Sequence, residues 1–326
     1  MSRRGPMCLK RLSSCPRHKD RPRRCRTSLA RHIFIVGACI ASLAVSFTAA
    51  LAQAVVVGGK NFTEQLLMAE MTTQLLTSRG VRVEKRTGYD TTRLRQAQEA
   101  GVVDLYWEYT GTSLREFNKV AERLSPEETY ARVKQLDGEK RLVWLKPSRV
   151  NNSYALAMRR VDAAERGIAT ISDLAAKVLQ GERLTLASNP EFYERSDGLR
   201  PLEQAYGFYF GGPDRVVRLD TDRVYEVLRD IKFIDVGLVF ATDGRIPAYD
   251  LLVLEDDKEF FPNYAMAPVV RQQTLERHPD LATHLNRLCA ILDDEVMAGL
   301  NRRVDVDSVR IPQVASDFLR SKGLLE

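Results

Sequence analysis

Asp104-Leu-Tyr-Trp-Glu-Tyr-Thr-Gly-Thr112 places Tyr106, Trp107 and Tyr109 within four residues and follows them with a glycine turn. Strand alternation sends Tyr106 and Glu108 to one face and Trp107 and Tyr109 to the other, and Thr110 to Thr112 ends the strand in a loop. Rings at such a strand end can face a cleft, or they can pack in a core, as single rings more often do. Upstream, Val55–Gly59 reads as a short buried strand running into a glycine turn, and Leu67, Met71 and Leu75 form a helical stripe. Val81–Lys85 alternates as a second strand. Thr91–Ala100 forms a second helix that Gly101 ends, and Val102–Tyr109 is the third strand. The order β-α-β-α-β predicts a parallel sheet with helical crossovers. Tyr109 and Lys60 then share the carboxyl edge, where open parallel sheets bind ligands.

Asn61, with Glu64 three residues on, reads as a capping box at the start of the first helix. Free N–H groups there, beside Lys60, suit an anionic group. Lys60 equally fits a solvated loop lysine. Farther on, Asn151-Asn152-Ser153 is a polar turn entering the apolar strand Tyr154–Met158. Leu184–Ala187 is a strand followed by a loop, Ser188–Gly198, which carries Arg195. Val236–Phe240 and Leu251–Leu254 continue a second α/β series, and Arg271–Leu325 is mostly helical. Two successive α/β series suggest two lobes.

The formal charge of +6 misleads about partners. Of 49 Lys/Arg and 43 Asp/Glu, eleven bases and one acid fall in residues 1–54, leaving 38 bases and 42 acids in the rest. That balance argues against a nucleic-acid partner. Residues 1–54 read as a signal peptide with an extended basic n-region. An apolar run, Ile33–Phe47, leads to cleavage near Ala52 or Ala54 and a periplasmic location. A lipoprotein box at Val36–Cys39 and an uncleaved anchor are the weaker alternatives. Beyond residue 54 only Cys289 remains, in an apolar helical pattern that suits a buried, inert thiol. Only His278 and His284 remain there too, and no HExxH, Gly-x-Ser-x-Gly or P-loop motif is present, so catalysis, a cofactor and a bound metal all lack support.

What recurs is an aromatic residue at loop–strand junctions: Tyr106, Tyr109, Tyr154, Tyr193, Phe240 and Tyr264. Together they can form a cage for a quaternary ammonium group, with Lys60 and Arg195 holding a carboxylate at the ligand's other end.

Gly59–Gln65 (GKNFTEQ), Asp104–Thr112, Ala241–Ile246 (ATDGRI), Leu254–Lys258, Phe260–Tyr264 and Ala267–Arg271 resemble the substrate-binding proteins of osmoprotectant ABC transporters, the glycine betaine/carnitine/choline-binding family. The resemblance implies an α/β type II periplasmic-binding-protein fold with two lobes joined by two crossing segments, near Asn151–Tyr154 and Leu254–Tyr264. Lobe 1 is then 55–152 with 256–326, and lobe 2 is 153–255. It further implies a monomer that binds a quaternary ammonium osmolyte and meets permease subunits in the membrane. Cage residues map to Tyr106, Tyr154, Phe240 and Tyr264, and carboxylate contacts to Lys60 and Arg195. Tyr109, Thr110 and Asn152 are further candidates. By alternation Tyr106 is the choice for the cleft and Trp107 for packing. Phe240 stands where some relatives have tyrosine, and Asn152 where some have an acid; both changes are expected to weaken binding or shift the ligand range. Binding of another compatible solute or a cationic amino acid is the neighbouring alternative, and a ligand-sensing domain without a transport role is the alternative from another class.

Overall fold

In the computed structural model, which describes residues 53–326 apart from Pro213, Val55–Lys60 (β1) pairs in parallel with Val83–Tyr89 (β2) and Leu105–Tyr109 (β3). The helices Thr63–Ser78 and Thr91–Glu99 make the crossovers, as the alternation predicts. Residues 1–52, which hold most of the expected signal segment and Cys8, Cys15, Cys25 and Cys39, lie outside the described residues.

One strand was hidden from sequence reading. Met266–Arg271 (β10) inserts antiparallel between β3 and Leu142–Trp144 (β4), giving a five-stranded sheet ordered β2-β1-β3-β10-β4. Pro268 sits in that strand opposite Trp107, and a proline in a central strand argues against strand because it lacks the N–H. The second sheet also has five strands. They are Tyr154–Arg159 (β5), Leu186–Ser188 (β6), Val216–Arg218 (β7), Val236–Phe240 (β8) and Leu251–Val253 (β9), in the order β7-β6-β8-β5-β9.

The chain leaves the first sheet after β4 and returns to it at β10. These two passages run side by side: Asn151 bridges to Ala265, and the Tyr264 amide donates to Asn151 Oδ1 at 2.7 Å. Helices cover both faces of the first sheet. Trp107 and Tyr109 join the large core containing Leu67, Met71 and Leu75 of the helix Thr63–Ser78, while Tyr106 packs with Val56, Leu94 and Val103 on the opposite face. Each fully buried aliphatic side chain contributes about 1.5–3 kcal/mol to folding. Cys289 is buried in the helix Leu281–Cys289, and burial pushes its thiol up to about 12.

Two stretches read as loops are helical. Thr110–Thr112 is a helical turn that continues as a π-turn over Ser113–Phe117. Within Ser188–Gly198, Pro190–Glu194 forms a short helix, because Asn189 Oδ1 accepts from the Phe192 amide at 2.8 Å and Pro190 occupies the first turn.

Asp137 fastens the far end of the first sheet. It receives Arg95 in bidentate fashion at 2.6 and 3.0 Å, the Trp144 indole at 2.8 Å, Ser113 Oγ at 2.8 Å and Asn118 Nδ2 at 3.1 Å. Burial opposes its charge, yet Arg95 and these donors outweigh it and hold the carboxyl below its ordinary value of 3.8. The resulting stabilisation is therefore fully present above that ordinary value and is lost as pH falls below it. Asp137→Ala leaves Arg95 buried without its main partner and is expected to cost about 3–5 kcal/mol. Urea denaturation at neutral pH measures this loss, and a loss under 1 kcal/mol would show that the pair is not holding the sheet.

Candidate functional site

The carboxyl ends of β1, β3 and β8 meet the start of β5 around a small cavity of about 30 Å³. The first-sheet side contributes Lys60, Asn61, Phe62, Thr91, Tyr109 and Thr112. Asn152 and Tyr264 come from the two passages between sheets, and Tyr154, Asn189, Glu191, Thr221 and Phe240 from the second-sheet side. A wider groove of about 520 Å³ runs beside Arg115, Arg123, Phe260 and Phe261, but of the ring cluster it carries only Tyr154. The ring-lined cavity is the candidate.

Its rings form a continuous arc. Phe62 stacks on Phe240 with centroids 5.3 Å apart and planes 11° off parallel, and it lies 6.4 Å from Tyr109. Tyr154 is 5.1 Å from Phe240 and meets Tyr264 edge-on at 5.6 Å. Tyr154 and Phe240 are cross-strand partners in the β5–β8 register, which fixes their separation. Burial raises the phenols of Tyr109, Tyr154 and Tyr264 well above the ordinary tyrosine range, so all three stay neutral. The Tyr264 hydroxyl is buried and has no hydrogen-bond partner among the described residues.

Charge lies at the ends of this arc. Lys60 Nζ is 2.7 Å from Glu108 Oε1 and 5.0 Å from the Tyr109 centroid. Glu108 also accepts from the Tyr109 amide at 2.7 Å and from Tyr106 Oη at 2.9 Å. Arg195 stands behind Tyr154, 5.5 Å from its centroid, and is bound by both oxygens of Asp197 at 2.7 Å and by Glu191 at 3.2 Å. Glu191 in turn accepts from Thr91 Oγ1 at 3.0 Å, a hydrogen bond from the first-sheet side to the second.

Glu64 is the residue that sequence reading misplaced. The first helix begins with Phe62 as N-cap and has no side-chain cap, so the expected Asn61–Glu64 capping box is absent. Glu64 instead turns inward, where burial raises its carboxyl above the ordinary range while four donors oppose that rise. Oε1 accepts from Tyr109 Oη at 2.7 Å and Asn152 Nδ2 at 2.9 Å; Oε2 accepts from Thr242 Oγ1 at 2.5 Å and Asn301 Nδ2 at 3.3 Å.

Of the expected site residues, Lys60, Tyr109, Asn152, Tyr154, Phe240 and Tyr264 line the cavity. Tyr106 does not. It is fully buried against Leu94 on the opposite face of β3, with its hydroxyl spent on Glu108. The pairing of faces by alternation holds, but the face that reaches the cavity is that of Tyr109. Thr110 is likewise buried, its Oγ1 donating to the Asn263 carbonyl at 3.0 Å, and Thr112 takes its place in the lining. Arg195 is outside the lining, behind Tyr154. Tyr193 lies under the guanidinium groups of Arg200 and Arg218 and outside the cavity. Asn61, Phe62, Thr91, Asn189, Glu191 and Thr221 were not foreseen as lining; for Asn61 and Phe62 the signal was present, since both stand inside a quoted motif.

Residues 53–321 match the family of substrate-binding domains of ABC-type glycine betaine transport systems. The glycine-betaine-binding protein of Pseudomonas aeruginosa is 44% identical over 288 residues, covering 86% of this chain and 92% of that protein. The glycine betaine-binding protein YehZ of Escherichia coli is 33% identical over 296 residues, 88% of this chain and 96% of its own. The solved apo structure of YehZ superposes with a TM-score of 0.62, over 84% of this chain and 100% of that one. A solved glycine betaine/carnitine/choline ABC transporter structure gives a TM-score of 0.67 at 27% identity, over 83% of this chain and 100% of that one.

Gly111 lets Tyr264 reach its place, because a Cβ there would lie 2.8 Å from two of the ring's carbons and 2.9 Å from the Asn263 carbonyl. Gly111→Ala is therefore expected to displace the ring and destabilise the chain by about 1–3 kcal/mol. Thermal denaturation checks this, and an unchanged melting temperature would show that the contact is loose.

Proposed function

The chain belongs to the family of substrate-binding domains of ABC-type glycine betaine transport systems, and from that membership we propose that it captures a quaternary ammonium compatible solute between two lobes and delivers it to a membrane permease. That family is one of transport proteins rather than catalysts. The observation that carries the reading is the arc of neutral rings at one cavity, with paired cations at its two ends. A trimethylammonium group has no N–H to donate, so hydrogen bonds cannot select it. Ring faces can, at about 0.5–2 kcal/mol per ring. We assign Phe62, Tyr109, Tyr154, Phe240 and Tyr264 to that task.

A carboxylate at the ligand's other end is assigned to the Lys60 ammonium and, as the lobes close, to Arg195. Each cation already has an acidic partner, so the carboxylate competes for its donors and is not drawn to a bare charge. Tyr264 Oη and Thr112 Oγ1 are further donors in reach of the cavity. The lobes are assigned as 55–152 with 256–326 and as 153–255, hinged at the paired passages around Asn151 and Tyr264. Export to the periplasm through residues 1–54, and action as a monomer, belong to the same proposal.

A panel of glycine betaine, choline, carnitine and proline betaine tests it by calorimetry and thermal shift. A ligand at a hundredfold its Kd stabilises the folded state by about 2.7 kcal/mol. The carboxylate-bearing betaines are expected to bind more tightly than choline, and equal or tighter binding of choline would sink the role given to Lys60 and Arg195. Tyr264→Ala is expected to abolish the shift; if the shift is unchanged, Tyr264 is not in the cage.

A further inference from the structure

Ala241–Ile246, one of the motifs that carry the resemblance, contributes nothing to the cavity lining, and neither does Glu64. They meet each other instead, through Thr242 Oγ1 and Glu64 Oε2 at 2.5 Å. Building on the functional reading above, we propose that Glu64 is the positioning residue of the cage, the single group against which rings from both lobes are set.

Three of its donors belong to ring-bearing segments. Tyr109 is bound directly through its hydroxyl at 2.7 Å. Asn152, two residues before Tyr154, donates from Nδ2 at 2.9 Å. Thr242, two residues after Phe240, donates from its hydroxyl at 2.5 Å. These segments lie on the first sheet, the first passage and the second sheet. The fourth donor, Asn301, bonds both Glu64 and the Thr242 carbonyl, the latter at 3.0 Å, and so ties the turn after β8 to the helix Asp294–Asp305. Contact at that turn is close, since a Cβ on Gly244 would stand 2.6 Å from backbone atoms of Arg302.

The chemistry suits the task. An ionised carboxylate only accepts, with about four lone-pair sites, and here four donors converge on it. No other side chain of this length can satisfy them all. A binding constellation needs its groups held to within about 0.5 Å, and rings on two lobes need a common reference to achieve that.

Glu64→Gln turns one acceptor into an NH₂ that faces the amide of Asn301 or Asn152. Glycine betaine affinity, measured by calorimetry well below the melting temperature, is expected to fall by about tenfold or more, since a buried donor is left unpaired. Thr242→Val removes one donor at nearly constant shape, and an affinity loss of about threefold or more is expected from it. It carries the test if Glu64→Gln does not fold. Should both single variants melt lower yet bind as tightly as the unsubstituted protein, Glu64 only stabilises the fold and the proposal is overturned. If the unsubstituted protein binds no quaternary ammonium at all, the functional reading falls, and this proposal with it.

Discussion

A carboxyl group sealed from water must be satisfied by the protein around it. Glu64 meets that requirement with donors from β3, from the first passage between sheets, from the turn after β8 and from the helix Asp294–Asp305. Elements far apart in sequence are thereby obliged to converge on one point, and the cavity forms beside it. The same constraint explains why an uncharged residue at position 152 fits here. Asn152 offers its amide N–H to Glu64, whereas an acid in its place would set a second carboxylate against the first. Asn152 is thus better understood through its buried neighbour than through the cavity alone.

Much of the fold was legible from period and punctuation. The β-α-β-α-β opening and the shared edge of Lys60 and Tyr109 follow from apolar alternation and glycine stops. Strand β10 was not legible, because Pro268 carries the signature of a strand breaker while sitting opposite Trp107. At the site, alternation separated Tyr106 from Tyr109 but could not say which face reaches the cavity. That choice belongs to tertiary packing. Gln65 binds the Trp107 carbonyl and Tyr109 Oη, so the first helix covers that face and its N-terminal end opens at Tyr109; Leu94 closes over Tyr106 on the other side. Glu64 was read as a cap because its spacing from Asn61 fits one, and spacing carries no information about partners 45 to 237 residues away.

The electrostatic design is one of compensated charge. Lys60 with Glu108 is neutral as a pair, Arg195 with Asp197 and Glu191 carries one negative charge in excess, and the phenols between them stay protonated. Removing one partner from such buried pairs is costly, because the remaining charge is stranded. Both ends of the cavity are therefore polar and directional, with the excess negative charge at the Arg195 end. Such an arrangement is compatible with a zwitterion and unfavourable to an anion.

Tyr154 opens β5 and Phe240 closes β8, and the two stand directly opposite each other in register. The ring at position 240 is partly exposed and its backbone is held by the ladder and by Tyr225 Oη, which accepts from the Phe240 amide at 2.8 Å. Nothing in that anchorage depends on which ring is present. Lineages can therefore exchange phenylalanine and tyrosine here and inherit the scaffold unaltered, so that what the protein prefers to carry can diverge one substitution at a time, on a separate evolutionary clock from folding.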